Sequence, residues 1–147
     1  MADVVMDVVQ AKGIPDDTLL WLLQPTSPFR EAQHFHRILE IIRLHGANSV
    51  VSVSSVGDSH PSRHYKLSTY GDLVPLFPRL ASFDNRQSLK PVFERNGMYY
   101  VTTCREFKAK RSFYVPRCKS FLMDRLQSFN INDELDFKLA QAVSQWI

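Results

Sequence analysis

The chain has 147 residues, 44% of them hydrophobic, which suits a single domain with a real core. Its formal charge of +3 is mild, and the densest basic cluster, Lys108, Lys110 and Arg111, is too small to argue for nucleic acid and reads as a solvated helix end. Two cysteines without metal spacing argue against a disulfide scaffold, no apolar run nears the roughly 18 residues of a membrane span, and the opening Met-Ala-Asp-Val-Val lacks the basic and apolar segments of a signal peptide, so the expectation is a soluble, cytoplasmic protein.

The elements follow in chain order. Val4, Val5, Val8 and Val9 recur at helical spacing, and Gly13 with Pro15 stops that helix. A strand is expected over Thr18 to Gln24, since the apolar run Leu19 to Leu23 ends at Pro25, which cannot donate to a ladder. The polar loop Gln24-Pro25-Thr26-Ser27-Pro28-Phe29-Arg30 follows. In open α/β sheets such loops line the ligand crevice, so Gln24, Thr26, Ser27 and Arg30 are candidate contacts; a rigid strand-to-helix turn with a capping hydroxyl fits them as well. A helix is expected over roughly Glu31 to Leu44, with Phe35, Ile38, Leu39 and Ile42 as its apolar stripe and Gly46 just beyond its end.

Ser49 to Val56 is β-branched and reads as the best strand. Residues 57–91 are rich in Ser, Pro, His and Arg and read as a small β-rich excursion. Met98 to Thr103 reads as a strand, Thr103 to Lys110 as a short helix and Ser112 to Pro116 as an extended piece. Asp133 should cap a last helix in which Leu135, Leu139 and Val143 share a face. Strands alternating with helices predict an α/β fold with a mostly parallel sheet. The five histidines show no metal pattern, and Ser27 has no evident His and Asp partners for a hydrolase triad.

Six segments in order carry a resemblance. Leu22 to Arg30 resembles the signature of the acylneuraminate cytidylyltransferases, the CMP-sialic acid synthetases. Ser49 to Val53 resembles that family's next core strand, and His60-Pro61-Ser62-Arg63 its histidine-proline turn. Arg86-Gln87-Ser88-Leu89, Asn96-Gly97-Met98-Tyr99-Tyr100 and Asn130-Ile131-Asn132-Asp133-Glu134-Leu135-Asp136-Phe137 resemble its arginine-glutamine, asparagine-glycine and Asp-x-Asp segments. Together they cover nearly the whole chain.

The resemblance implies a Rossmann-like nucleotidyltransferase sheet in a single domain over residues 1–147, corresponding to the C-terminal two-thirds of a synthetase. It also implies an inserted dimerisation arm over residues 57–91 and a homodimer. It implies that Gln24 contacts the acidic sugar, although a loop hydrogen bond would suit a glutamine equally. Arg63 and Arg86 would reach from the arm into the partner's site as anion binders, with Gln87 of the same motif binding substrate, although a surface position would suit either arginine; Asn96, Tyr100, Phe113 and Tyr114 would surround the sugar, and core packing is the other reading of the aromatic residues. Asn130 and Asn132 stand where the resemblance implies aspartates holding Mg²⁺; a neutral amide is a weaker ligand for so hard a cation. Asp133 and Glu134 read as the favourable acidic start of a helix.

The family's triphosphate-binding loop is rich in Gly, Arg and Lys, and phosphate cradles generally need exposed N–H groups. The five glycines here, at 13, 46, 57, 71 and 97, do not cluster. The expectation is therefore a cytidylyltransferase-family protein truncated at the N-terminus or split, with a separate N-terminal half. Its ancestral reaction would join CTP and an acidic sugar into a CMP-sugar and pyrophosphate. The alternative is a non-catalytic sugar-binding or dimerisation module.

Overall fold

The computed structural model of the chain describes residues 1–80 and 88–147. They fall into two compact units, Met1–Ser54 with Arg95–Ile147, and Ser55–Glu94.

The first unit is built on a four-stranded sheet. Helix α1 (Ala2–Ala11) precedes strand β1 (Leu19–Leu22), helix α2 (Ala32–His45) and strand β2 (Ser49–Ser55). Strand β5 (Phe93–Thr103) leads directly into helix α3 (Cys104–Lys110), and strand β6 (Cys118–Leu122) and helix α4 (Glu134–Val143) follow. The sheet order is β1-β5-β2-β6. β1 runs antiparallel to β5, Leu19 opposite Thr103 and Leu22 opposite Tyr100. β2 runs parallel to β6, Ser49 opposite Cys118 and Val53 opposite Leu122. The fold is thus α/β as expected, but the sheet is mixed, not mostly parallel.

Three local departures have physical causes. β5 begins at Phe93, five residues before the apolar run that marks it in sequence, because Glu94-Arg95-Asn96-Gly97 carry no β pattern of their own. β6 was not legible: in Cys118-Lys119-Ser120-Phe121-Leu122 only Phe121 is fully buried, and the strand lies at the sheet edge where alternation is relaxed. In α1 the buried residues are Met6 and Val9, while Val4 and Val8 face outward. Adjacent apolar residues stand about 100° apart on a helix, so one of each valine pair must turn away.

The capping signals held. Gly46 terminates α2 in the left-handed region at φ 54°, and its N–H donates to the Ile42 carbonyl. Thr103 Oγ1 accepts from Glu106 N at the start of α3, and Asp133 Oδ1 accepts from Asp136 N at 2.8 Å at the start of α4.

The core gathers Ile38, Ala47, Val50, Met98, Tyr99, Val101, Phe121 and Met123. Tyr99 is its centre. The ring is fully buried and meets Trp21, His34, Phe35 and Phe121 edge-on, with centroids 5.4 to 6.4 Å apart. Such tilted contacts suit the ring quadrupoles. The Tyr99 hydroxyl lies 3.2 Å from His34 Nδ1.

The second unit carries a single turn of 3₁₀ helix (Pro61–Arg63) and a hairpin of β3 (Tyr65–Leu67) and β4 (Leu73–Pro75). The hairpin turn is closed by Ser68 Oγ, which accepts from Tyr70 N and Asp72 N. His60 pins the 3₁₀ turn: Nδ1 accepts from Ser62 N at 3.2 Å and lies 2.7 Å from Ser62 Oγ, while Nε2 lies 3.2 Å from the Lys90 carbonyl. A carbonyl can only accept, so the imidazole carries its proton on Nε2.

His34 yields the first prediction. It is 2% exposed, and its Nδ1 accepts from the Glu31 N–H at 3.3 Å, half of the α2 capping box. That nitrogen must be unprotonated to accept. Burial pushes the imidazole below its ordinary value; Glu31 opposes the shift and Arg37 adds to it. A depressed histidine binds protons more readily in the unfolded chain, so stability is lost as pH falls below about 6.5. Melting temperature should drop between pH 7.5 and 5.5, and His34→Gln should flatten that slope. Parallel slopes for the two proteins would show that His34 is not the titrating group.

Candidate functional site

β1 ends at Leu22, and the chain then turns through Pro25 and Pro28, which carry no N–H. Two carbonyls near this end are bridged by one side chain. Arg30 donates through Nε to the Met98 carbonyl at 3.1 Å and through Nη2 to the Gln24 carbonyl. Its guanidinium carbon lies 5.9 Å from the Tyr99 ring centroid, within reach of a cation–π contact. The first expected site residue, Gln24, is therefore held by its backbone, with its side chain left to act.

That side chain lines a cleft of about 250 Å³. Leu22 and Val51 supply apolar wall, and Tyr100, Phe113 and Tyr114 supply aromatic wall. Tyr100 and Phe113 meet at 6.4 Å between centroids, and Phe113 rests on the buried Phe107 of α3 at 5.0 Å. Tyr114 is 70% exposed, so its ring is free to cover a ligand. Four residues proposed from sequence, Gln24, Tyr100, Phe113 and Tyr114, are thus brought to one cleft.

Two arginines, Arg95 and Arg111, also line it. Sequence reasoning missed both. Arg95 precedes Asn96-Gly97 in a segment that shows no strand pattern. Arg111 was read as part of a solvated helix end; it closes α3 in the left-handed region at φ 49° and pairs with Asp3 at 3.5 Å, both groups mostly exposed. Such a pair contributes little to stability, roughly 0 to 1 kcal/mol. It leaves the guanidinium available to an anion.

Behind the cleft is a polar seam. Asn96 is 3% exposed; its Nδ2 donates to Ser128 Oγ at 2.8 Å, and its Oδ1 accepts from Met98 N at 3.3 Å. Ser27, fully buried, donates from Oγ to Asn130 Oδ1 at 2.5 Å. Asn130 Nδ2 donates to the Asn96 carbonyl at 2.6 Å. Ile131 N donates to the Thr26 carbonyl at 2.8 Å, so side chain and backbone tie the same two loops. Gly97 sits between, at φ 77°; a Cβ there would stand 2.7 Å from Gln24 Oε1 and 3.3 Å from Asn130 Oδ1. Only glycine satisfies both the backbone angle and the crowding.

Arg63 belongs to the second unit, where Asp58 lies 3.9 Å away. Arg86 and Gln87 lie outside the described residues. Asn132 is exposed, and its backbone N–H donates to Asp136 Oδ2 at 2.9 Å. Mg²⁺ prefers anionic oxygens in octahedral array. Asn130 offers a neutral amide already engaged at both ends, and Asn132 offers another neutral amide. Among the described residues no three His, Cys, Asp or Glu side chains gather as a metal group. These residues do not fit that ion. Among the described residues, too, no helix is long and apolar enough to cross a membrane.

No protein-family model matches the chain. Curated relatives do. The chain is 32% identical over 127 residues to a CMP-N,N'-diacetyllegionaminic acid synthase of Legionella pneumophila, covering 84% of this chain and 53% of that protein. It is 29% identical over 116 residues to an N-acylneuraminate cytidylyltransferase of Streptococcus agalactiae, covering 79% of this chain and 28% of that one. It is 31% identical over 129 residues to an N-acylneuraminate cytidylyltransferase of Escherichia coli, covering 84% and 29%. The chain thus spans about half the length of the first relative and less than a third of the others. Over about four-fifths of its length the chain is thus similar, at about 30% identity, to synthases and cytidylyltransferases that make CMP-sugars of the acylneuraminate type.

Proposed function

We propose that this chain carries the acceptor-sugar side of a CMP-sugar synthase. In that reaction the anomeric hydroxyl of an acidic sugar attacks the α-phosphate of CTP. A sugar–phosphate bond forms, the α–β phosphoanhydride breaks, and pyrophosphate leaves. The observation that supports the reading is the cleft itself: Gln24 beside Tyr100, Phe113 and Tyr114, with Arg95 and Arg111 at its wall. An aromatic face suits the apolar side of a pyranose, and a Gln amide suits hydroxyl or N-acyl groups. Arginine forks suit a sugar carboxylate.

The chain's own residues bind and orient; positioning accounts for much of the rate in such transfers. The triphosphate needs a cradle of backbone N–H groups, and the five glycines of this sequence do not cluster into one. We assign that function to chain outside these 147 residues. A second reading, a sugar-binding module without catalysis, is favoured by the Asn130 amide, which is engaged at both ends.

The direct test incubates the 147-residue chain with CTP, Mg²⁺ and a panel of acidic nine-carbon sugars. The sugars should bind in calorimetry without pyrophosphate release. Gln24→Ala and Arg95→Ala should each weaken binding about tenfold, the equivalent of one net hydrogen bond. Pyrophosphate release above background, abolished by Gln24→Ala, would show that these residues suffice for turnover. Absence of binding across the panel would remove the sugar reading. If a supplied N-terminal half then restored release, the split enzyme would be favoured over the binding module.

We also propose that residues 57–91 mediate dimerisation. In this unit Leu67, Tyr70, Leu73 and Phe77 are exposed, Tyr70 to 92%. Apolar surface of this kind commonly marks an interface. Sedimentation at micromolar concentration should give a dimer, and Leu67→Glu with Leu73→Glu should give a folded monomer. A monomeric wild type would refute the assignment.

A further inference from the structure

Asn130 occupies a position where the family resemblance implies a metal-holding aspartate, yet its amide makes a pair of contacts, one accepted and one donated, that an ionised aspartate could not make together. The two ends of an amide differ: oxygen accepts and nitrogen donates. The Asn96 carbonyl can only accept, so the end facing it at 2.6 Å must be Nδ2. The other end, Oδ1, then faces Ser27, whose hydroxyl donates to it at 2.5 Å from a fully buried position. The orientation of the amide is therefore fixed by the chemistry of its neighbours. Gly97 closes the third side, with Asn130 Oδ1 and Nδ2 3.3 and 3.4 Å from where its Cβ would be.

We infer that Asn130 is an amide clasp between the loop after β1 and the start of β5, and that this position is closed to aspartate and to metal ligation in this chain. It is a positioning residue: it holds Ser27 and the Asn96 carbonyl, and the Gly97 that follows Asn96 has the Gln24 amide oxygen 2.7 Å from where its Cβ would be. An aspartate could still accept from Ser27. It would set its second oxygen against the Asn96 carbonyl, oxygen to oxygen at hydrogen-bonding distance, at a half-buried position between the buried Ser27 and Asn96. The ionised acid is then disfavoured in the folded chain, and the protonated acid restores the missing donor. An acid with a raised folded value costs stability as pH rises above its unfolded value of about 3.9. Replacement by aspartate should therefore produce a deficit at neutral pH that shrinks on acidification. An aspartate placed to hold a cation would also be relieved by acid; it differs in that a cation repairs its deficit at neutral pH.

The clasp stands whether or not Gln24 touches a sugar, so the test reads stability. Wild type, Asn130→Asp and Asn130→Ala are melted at pH 4.5 and 7.5, with and without Mn²⁺. At pH 7.5, Asn130→Asp should melt about 5 °C or more below wild type. Measured against wild type at each pH, so that other acid effects cancel, most of that gap should close at pH 4.5. Asn130→Ala lacks both bonds and any titrating group, and its gap should not depend on pH. Mn²⁺ should not close the gap of Asn130→Asp. If Asn130→Asp does not fold at pH 7.5, it is folded at pH 4.5 and followed by near-ultraviolet circular dichroism as pH is raised; loss of signal then supports the clasp. The inference is overturned by wild-type stability of Asn130→Asp at pH 7.5, by a gap equal at both pH values, by failure to fold at either, or by restoration with Mn²⁺.

Discussion

One side chain sets the geometry on which the site depends. Arg30 takes the carbonyls of Gln24 and Met98 together, one from the loop that leaves β1 and one from β5. The two prolines around this loop remove donors that a ladder would have supplied; the Gln24 carbonyl also accepts from Ser27 N at 3.2 Å, and Arg30 ties it to β5. The guanidinium can make both bonds because its donors are fixed in a fork. Its neighbour Tyr99 is fully buried and meets four other rings. The loop is thereby tied to the centre of the core.

A second layer of constraint comes from the polar seam. Ser27, Asn96, Ser128 and Asn130 are far apart in sequence, and each satisfies another. Buried polar groups of this kind carry a large penalty if one partner is lost, so the seam fixes the loops more firmly than its net energy suggests. Of its members, Ser27, Asn96 and Asn130 are tied to one another and to the loops that flank Gln24. The cleft wall is then free to be aromatic and cationic. Phe113 illustrates the division: one neighbour, Phe107, belongs to the core and the other, Tyr100, to the cleft.

The sequence by itself determined the elements whose signals are local. α2 announces itself by its apolar stripe and Gly46, α4 by Asp133, α3 by its position after Thr103, and β2 by its valines. Each depends on neighbours within one or two turns, which is why these were legible. The order of six motifs likewise carried the resemblance. Gln24, Tyr100, Phe113 and Tyr114 could be named because they lie in or beside those motifs.

Tertiary structure alone decided the rest. β6 is a strand because β2 offers it a parallel edge, and the four residues Glu94 to Gly97 near the start of β5 are extended though their own side chains do not favour it. The sheet is mixed because pairing direction is settled by how the chain returns, which no local pattern encodes. Arg95 and Arg111 become one wall only when α3 folds back beside β5, since 16 positions separate them in the chain. Asn130 looked like a weakened ligand in sequence; with Ser27 and the Asn96 carbonyl on either side it is a saturated hydrogen-bonding group. A residue type limits what a side chain can do, but its partners decide what it does, and partners more than a hundred residues away, as Ser27 is from Asn130, are supplied only by the fold.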